Sequence, residues 1–144
     1  MFQGITDYVW LSQKRFVVSW LKSPDGETVW EAIAPSCQED KRVDLYDSIV
    51  NLLEEVKKRN IKELTLIIDD HIVFNHLTKT WVPRKVSYQR RYDQVQNLLA
   101  STFYVAFDRI TVKEQKQANM LLHEWVSDDD EDYNNPDLVM ISFL

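Results

Sequence analysis

The chain has 144 residues, 44% of them apolar and 12% aromatic, enough for one domain with a packed core. Its net charge is −6, but residues 127–144 hold six acids and no base, so all 17 Lys and Arg lie in residues 1–126 among an equal number of acids; an acidic average therefore does not exclude a basic surface. Two glycines leave no room for a Gly-rich phosphate loop, and a single cysteine, Cys37, excludes an intrachain disulfide and a CxxC zinc site. No apolar run approaches the roughly 20 residues of a membrane span, and no basic and then apolar N-terminal segment reads as a signal peptide, so a soluble, cytoplasmic protein is expected.

In chain order, Phe2 to Val9 reads as a strand, and Phe16 to Leu21, rich in aromatic and β-branched residues, as a second. Ser23-Pro24-Asp25-Gly26 is a turn signal that leads into a third strand, Glu27 to Ala34. Leu45, Ile49, Leu52, Leu53 and Val56 then recur at helical spacing, and the stripe ends at Lys57-Lys58-Arg59, a cationic terminus that suits the helix dipole. Leu64 to Ile68 is an apolar run too short for a helix; following a helix, it reads as a buried parallel strand. Asp70 to Thr80 predicts a short helix stopped near Pro83, Tyr88 to Ser101 a longer one, Phe103 to Val112 a fifth strand and Lys113 to Val126 a last helix. The predicted order is βββαβααβα in residues 1–126, followed by an acidic tail, 127–144, with an apolar end at Leu138 to Leu144.

Three aspartates stand at corners of this pattern: Asp7 late in the first strand, Asp44 at the start of the first helix, and Asp69 at the end of the fourth strand. A carboxylate beside a core is costly unless a cation or a hydrogen-bond donor meets it, and magnesium is a common partner. The plainer readings stay open: Asp69 or Asp70 as a helix cap, Asp44 as a first-turn acid favoured by the dipole, and Asn119 as an ordinary mid-helix polar residue.

The pattern resembles the ribonuclease H family over roughly residues 2–126. Ile5-Thr6-Asp7-Tyr8 stands where the family's first strand ends in Thr-Asp-Gly-Ser, Val43-Asp44-Leu45 where its first helix opens with Ala-Glu-Leu, and Ile68-Asp69-Asp70 where its fourth strand ends in Asp-Ser. Ala118-Asn119-Met120-Leu121 stands at the Ala-Asp-x-Leu of the last helix. The resemblance implies an α/β, ribonuclease H-like fold: a five-stranded mixed sheet with helices on both faces. It also implies cleavage of the RNA strand of RNA–DNA hybrids with Mg²⁺ or Mn²⁺ held by Asp7, Asp44 and Asp69, and with Asn119 as a fourth catalytic position. The departures are Asp for Glu at 44, Asn for Asp at 119 and Tyr for Gly at 8, so a catalytically degenerate module that binds nucleic acid or a protein is the alternative.

Lys79, Arg84, Lys85, Arg90 and Arg91 form the densest basic stretch, interleaved with Trp81, Tyr88 and Tyr92. Such a mixture suits phosphate tracking and base stacking, and equally a solvated helical hairpin. His71, His76 and His123 show no ligand spacing. The C-terminal tail is a candidate docking peptide for a protein partner or for the body itself.

Overall fold

A computed structural model describes residues 1–36 and 39–128. Five strands, β1 (Phe2–Leu11), β2 (Lys14–Lys22), β3 (Thr28–Pro35), β4 (Glu63–Ile68) and β5 (Tyr104–Arg109), form one sheet in the order β3-β2-β1-β4-β5. β1, β2 and β3 are antiparallel neighbours, whereas β4 runs parallel to β1 and β5 parallel to β4. The helices are α1 (Lys41–Lys58), α2 (His71–Leu77), α3 (Val86–Leu99) and α4 (Val112–Asp128). The element order and the mixed five-stranded sheet are those the sequence predicts.

Side-chain alternation along the strands divides the core into two layers. Val17, Leu21, Leu64, Leu66 and Ile68 pack on one face beneath α1, α2 and α3, where Leu45, Ile49, Leu52 and Leu53 supply the stripe of α1. Ile5, Val9, Phe16, Val18, Trp20, Ile33 and Ile67 pack on the other face, against Ala118 and Leu122 of α4. Helices therefore cover both faces, as is usual where strands run parallel like β1, β4 and β5.

Two local features set the geometry of the functional end. Residues Ser12 and Gln13 join β1 to β2 with positive φ values of 50° and 65°, the backbone of a two-residue hairpin whose twist matches the strands, although neither is Gly or Asn. Gly4 lies in β1 directly under α1: a β-carbon there would come within 2.7 Å of Leu52 Cδ2 and 3.3 Å of Leu66 Cδ2, so the close approach of helix to sheet depends on glycine.

The apolar segment Leu138 to Leu144 and the acids from Asp129 onward, read above as a tail, lie outside the described residues, as does Cys37. No described helix is long and apolar enough to cross a membrane.

Candidate active site

The parallel register of β1 and β4 pairs Phe2 with Leu64 and runs to Thr6 with Ile68. One step further brings Asp7 beside Asp69, and the Asp69 amide continues the ladder by donating to the Thr6 carbonyl at 3.2 Å. Because partners in a parallel pair share a face, both carboxyls fall on the side of Ile5 and Ile67, the α4 side. Asp7 is 2% exposed, and its carboxyl hydrogen-bonds to that of Asp69. Burial pushes the Asp7 carboxyl up to about 8, with the proton shared with Asp69, the Asp69 charge and the more distant Glu114 charge adding to the effect. The Tyr8 amide, 3.4 Å from Asp69 Oδ2, donates to the same pair.

Tyr8 and Asp70, one residue on along each segment, belong to the opposite side. The Tyr8 hydroxyl donates to Asp70 Oδ2 at 3.2 Å and reaches the Lys41 carbonyl at 3.3 Å, while Lys41 Nζ lies 4.8 Å from the centre of the Tyr8 ring. Asp70 is the N-cap of α2: its Oδ1 accepts from the amides of Ile72 and Val73. Arg42 of α1 completes its shell, with Nε 3.1 Å from Oδ1 and 3.0 Å from Oδ2. Four partners on a carboxylate whose side chain is 2% exposed explain how it stays buried. They also hold it at φ 132°, a backbone region that side chains rarely occupy, and strain of this kind is concentrated at functional ends of folds. Burial, followed by the Asp70 charge and hydrogen bond, pushes the Tyr8 phenol well above its ordinary range, so it remains a hydroxyl donor.

Asp44 stands elsewhere. Ser36 donates to its Oδ2 at 2.7 Å, Arg15 Nε in turn donates to Ser36 Oγ at 2.8 Å, and the acid lines a small depression with Val17, Ala34 and Pro35 near the β2 and β3 strands. The reason lies in the helix: α1 sits on the face opposite Asp7, and the two-residue step from Arg42 to Asp44 is about 200° of rotation, so with Arg42 turned to Asp70, Asp44 turns to β3. Asn119 is exposed, and its side-chain amide donates to the Gln115 carbonyl one turn earlier on α4. The acid of α4 whose charge reaches Asp7 is Glu114, which accepts from the amide and hydroxyl of Thr111 as the helix opens. Among the described residues no three acids, histidines or cysteines gather in a way that would hold a metal ion. The structure thus brings Asp7 and Asp69 together and leaves Asp44 and Asn119 apart from them.

Sequence reasoning missed Arg42, Tyr8 and Asp70 as a unit. The one signal for it was Asp70 directly ahead of a helical segment, the mark of a cap; nothing in the local pattern pointed to Arg42.

The basic stretch runs from the α2–α3 connection, which holds Lys79, Arg84 and Lys85, into α3, which holds Arg90 and Arg91. Lys79, Arg84 and Arg90 are exposed, and they make no ion pair with a described residue. Lys85 is tied to Asp40, the N-cap of α1, at 3.0 Å, and Arg91 to Asp47 at 2.7 Å. Trp81, 47% exposed, meets His71 in a T-shaped contact with ring centres 6.1 Å apart. Since His71 follows Asp70 directly, this contact sets the exposed indole next to the acidic end of β4.

No family model matches this chain, and no curated protein matches it in sequence. Solved structures do match. RNase H1 from the halophilic archaeon Halobacterium salinarum NRC-1 is 19% identical with a TM-score of 0.72, over 88% of this chain and 98% of its own. The N-terminal RNase H domain of rv2228c from Mycobacterium tuberculosis is 14% identical with a TM-score of 0.70, over 83% and 95%. LC11-RNase H1, solved in complex with an RNA/DNA hybrid, is 12% identical with a TM-score of 0.70, over 84% and 93%. With five strands in the order β3-β2-β1-β4-β5, helices on both faces and these structural likenesses, the chain has the ribonuclease H-like fold.

Proposed function

We propose that this chain is a ribonuclease H-fold protein that binds RNA–DNA hybrid duplexes, and that its cleavage centre is reduced to the Asp7 and Asp69 pair. The observation that carries the binding half is the contact of Trp81 with His71, which sets an exposed indole of the basic segment beside the acidic end of the sheet, the segment's Lys79, Arg84 and Arg90 being exposed. Cations release condensed counterions when they meet phosphates, and an exposed indole offers a face for stacking, so both terms favour a nucleic acid. A solved neighbour of this fold is itself a hybrid complex, which supports the choice of duplex.

Asp7 and Asp69 fit one divalent cation, because a buried and a half-buried carboxyl that hold a proton between them present the donor set such an ion would take over. They do not fit a two-ion cluster with Asp44 and Asn119 oriented as they are. A bound Mg²⁺ or Mn²⁺ would supply charge neutralisation and a more acidic water. The residues themselves supply the rest: Asp69 keeps Asp7 oriented, the Tyr8 amide holds Asp69, and Arg42 fixes the chain that carries Asp69 through Asp70.

Fluorescence anisotropy with a labelled hybrid tests this reading. Binding that weakens steeply with salt and is lost in the Arg84→Ala, Arg90→Ala double variant is the expected result; affinity indifferent to salt contradicts it. The second reading is an active, metal-dependent endonuclease that cuts the RNA strand, and the placement of Asp7 beside Asp69 at the end of the β1–β4 seam is the observation in its favour. Rapid Mn²⁺-dependent cleavage by the wild type, abolished in Asp7→Asn, would establish it.

A further inference from the structure

We infer that the cleft between α2 and the start of α3, which shares Trp81 and Arg84 with the basic surface, is also a ligand site that takes a nucleoside monophosphate, free or as the unstacked end of a strand. The cleft measures about 650 Å³, and Ile72, His76, Thr80, Trp81, Arg84 and Tyr88 line it. That volume lies in the range of small-ligand sites.

The determinant is His76. It is 5% exposed, and its Nδ1 lies 2.8 Å from the hydroxyl of Tyr46, a residue with no exposure at all. No other hydrogen-bond partner of the Tyr46 hydroxyl occurs among the described residues. A buried phenol left without an acceptor is costly, so Tyr46 donates to Nδ1, and this fixes the tautomer that carries its proton on Nε2. Burial pushes the Tyr46 hydroxyl up and the His76 imidazole down, both of which keep this neutral pair intact. Nε2 has no described partner, yet it is absent from the sealed polar atoms of the interior, and its ring lines the cleft. It is therefore a donor held ready for an acceptor that enters.

The other groups narrow the class of ligand. Trp81 stands nearly perpendicular to the His71 ring and, 47% exposed, offers indole surface to a planar ring. Arg84 is exposed and makes no ion pair with a described residue, whereas Lys85 is committed to Asp40, so the cleft offers one available cation for one phosphate. Thr80 adds a hydroxyl, which shares a 3.2 Å bond with that of Thr78. A flat base, one phosphate and an acceptor for the imidazole together describe a mononucleotide. The strand-end source rests on the hybrid-binding reading; the free nucleotide does not.

Adenosine monophosphate and uridine monophosphate serve as probes for calorimetry and for the imidazole NMR signals of His76. The expected result is saturable binding that shifts those signals and that weakens about tenfold or more in His76→Gln and in Trp81→Ala. The second variant changes only an exposed side chain and so keeps the test open if His76→Gln fails to fold. Unmoved His76 signals, or an affinity insensitive to Trp81→Ala, would overturn the site. Displacement of the monophosphate by a 5′-phosphorylated overhang identifies strand ends as the source, and no displacement identifies the free nucleotide; either supports the site. Blunt hybrid duplex, measured in parallel, separates the two claims. Hybrid bound without monophosphate overturns this inference alone, and monophosphate bound without hybrid overturns the hybrid reading alone.

Discussion

Asp7 and Asp69 hydrogen-bond to each other across the parallel seam of β1 and β4, so that a buried acid keeps its proton well above the ordinary carboxylate range. The unfolded chain releases that proton near 3.8 and the folded chain near 8. Between these values the folded state holds the extra proton, so the contribution of this group to stability falls as pH rises through the window and levels off above it. Asp7→Asn, which keeps a hydrogen bond to Asp69 without a second charge, is expected to raise stability at pH 9 in metal-free buffer by about 2 kcal/mol. Its gain at pH 4 should be near zero. Denaturant melts of both proteins at the two pH values check this, and an equal effect at both would remove Asp7 as the cause.

Asp70 ties three elements together, through the amides of α2, Arg42 of α1 and Tyr8 of β1. Asp70→Ala removes the cap and leaves a half-buried guanidinium without its partner, so a loss of about 3 kcal/mol is expected from chemical denaturation. Asp70→Asn, which keeps an oxygen for the amides, should cost about 1 kcal/mol. Equal losses would mean that the cap contributes nothing beyond the ion pair.

Gly4→Ala places a methyl group against Leu52 and Leu66 at the closest approach of α1 to the sheet. A cost of about 1–3 kcal/mol in urea is expected, with the secondary structure seen by circular dichroism unchanged. Leu52→Ala in the same chain should recover part of it, since the nearest atoms belong to that side chain.

The strands and helices were legible because each rests on a local signal: the helical stripe of Leu45, Ile49, Leu52 and Val56, the aromatic and β-branched residues of β2, the apolar run of β4. The Ser12-Gln13 hairpin was not, because its residues carry no turn signature and the flanking strands impose the positive φ values. The meeting of Asp7 and Asp69 follows from strand order and register, which the resemblance conveyed and composition does not. The direction of Asp44 was hidden for a different reason. Its place beside Leu45 in the stripe is right, but one residue on a helix is 100° of rotation, and the contest between Arg42 with Asp70 and Asp44 with Ser36 is settled only by packing. His76 and Tyr46 lie far apart in sequence and gave no sign of their hydrogen bond.

The basic segment divides into tethered and available cations. Arg91 pairs with Asp47, so Arg91→Ala is expected to change hybrid affinity by about twofold or less, whereas Arg90→Ala, which removes an available charge, should weaken it several-fold and lower the salt slope by about one. Anisotropy titrations across a salt series separate the two. Equal effects would mean that the Asp47 pair opens on binding.

The most direct measurement uses one labelled RNA–DNA hybrid, the wild type and Asp7→Asn, with and without Mn²⁺. The expected result is salt-dependent binding by both proteins, Mn²⁺ that raises the melting temperature of the wild type alone, and hybrid left intact over the time in which a two-ion nuclease would consume it. Prompt Mn²⁺-dependent scission by the wild type, or failure to bind the hybrid at low salt, would contradict a hybrid-binding protein whose cleavage centre is reduced to two carboxylates.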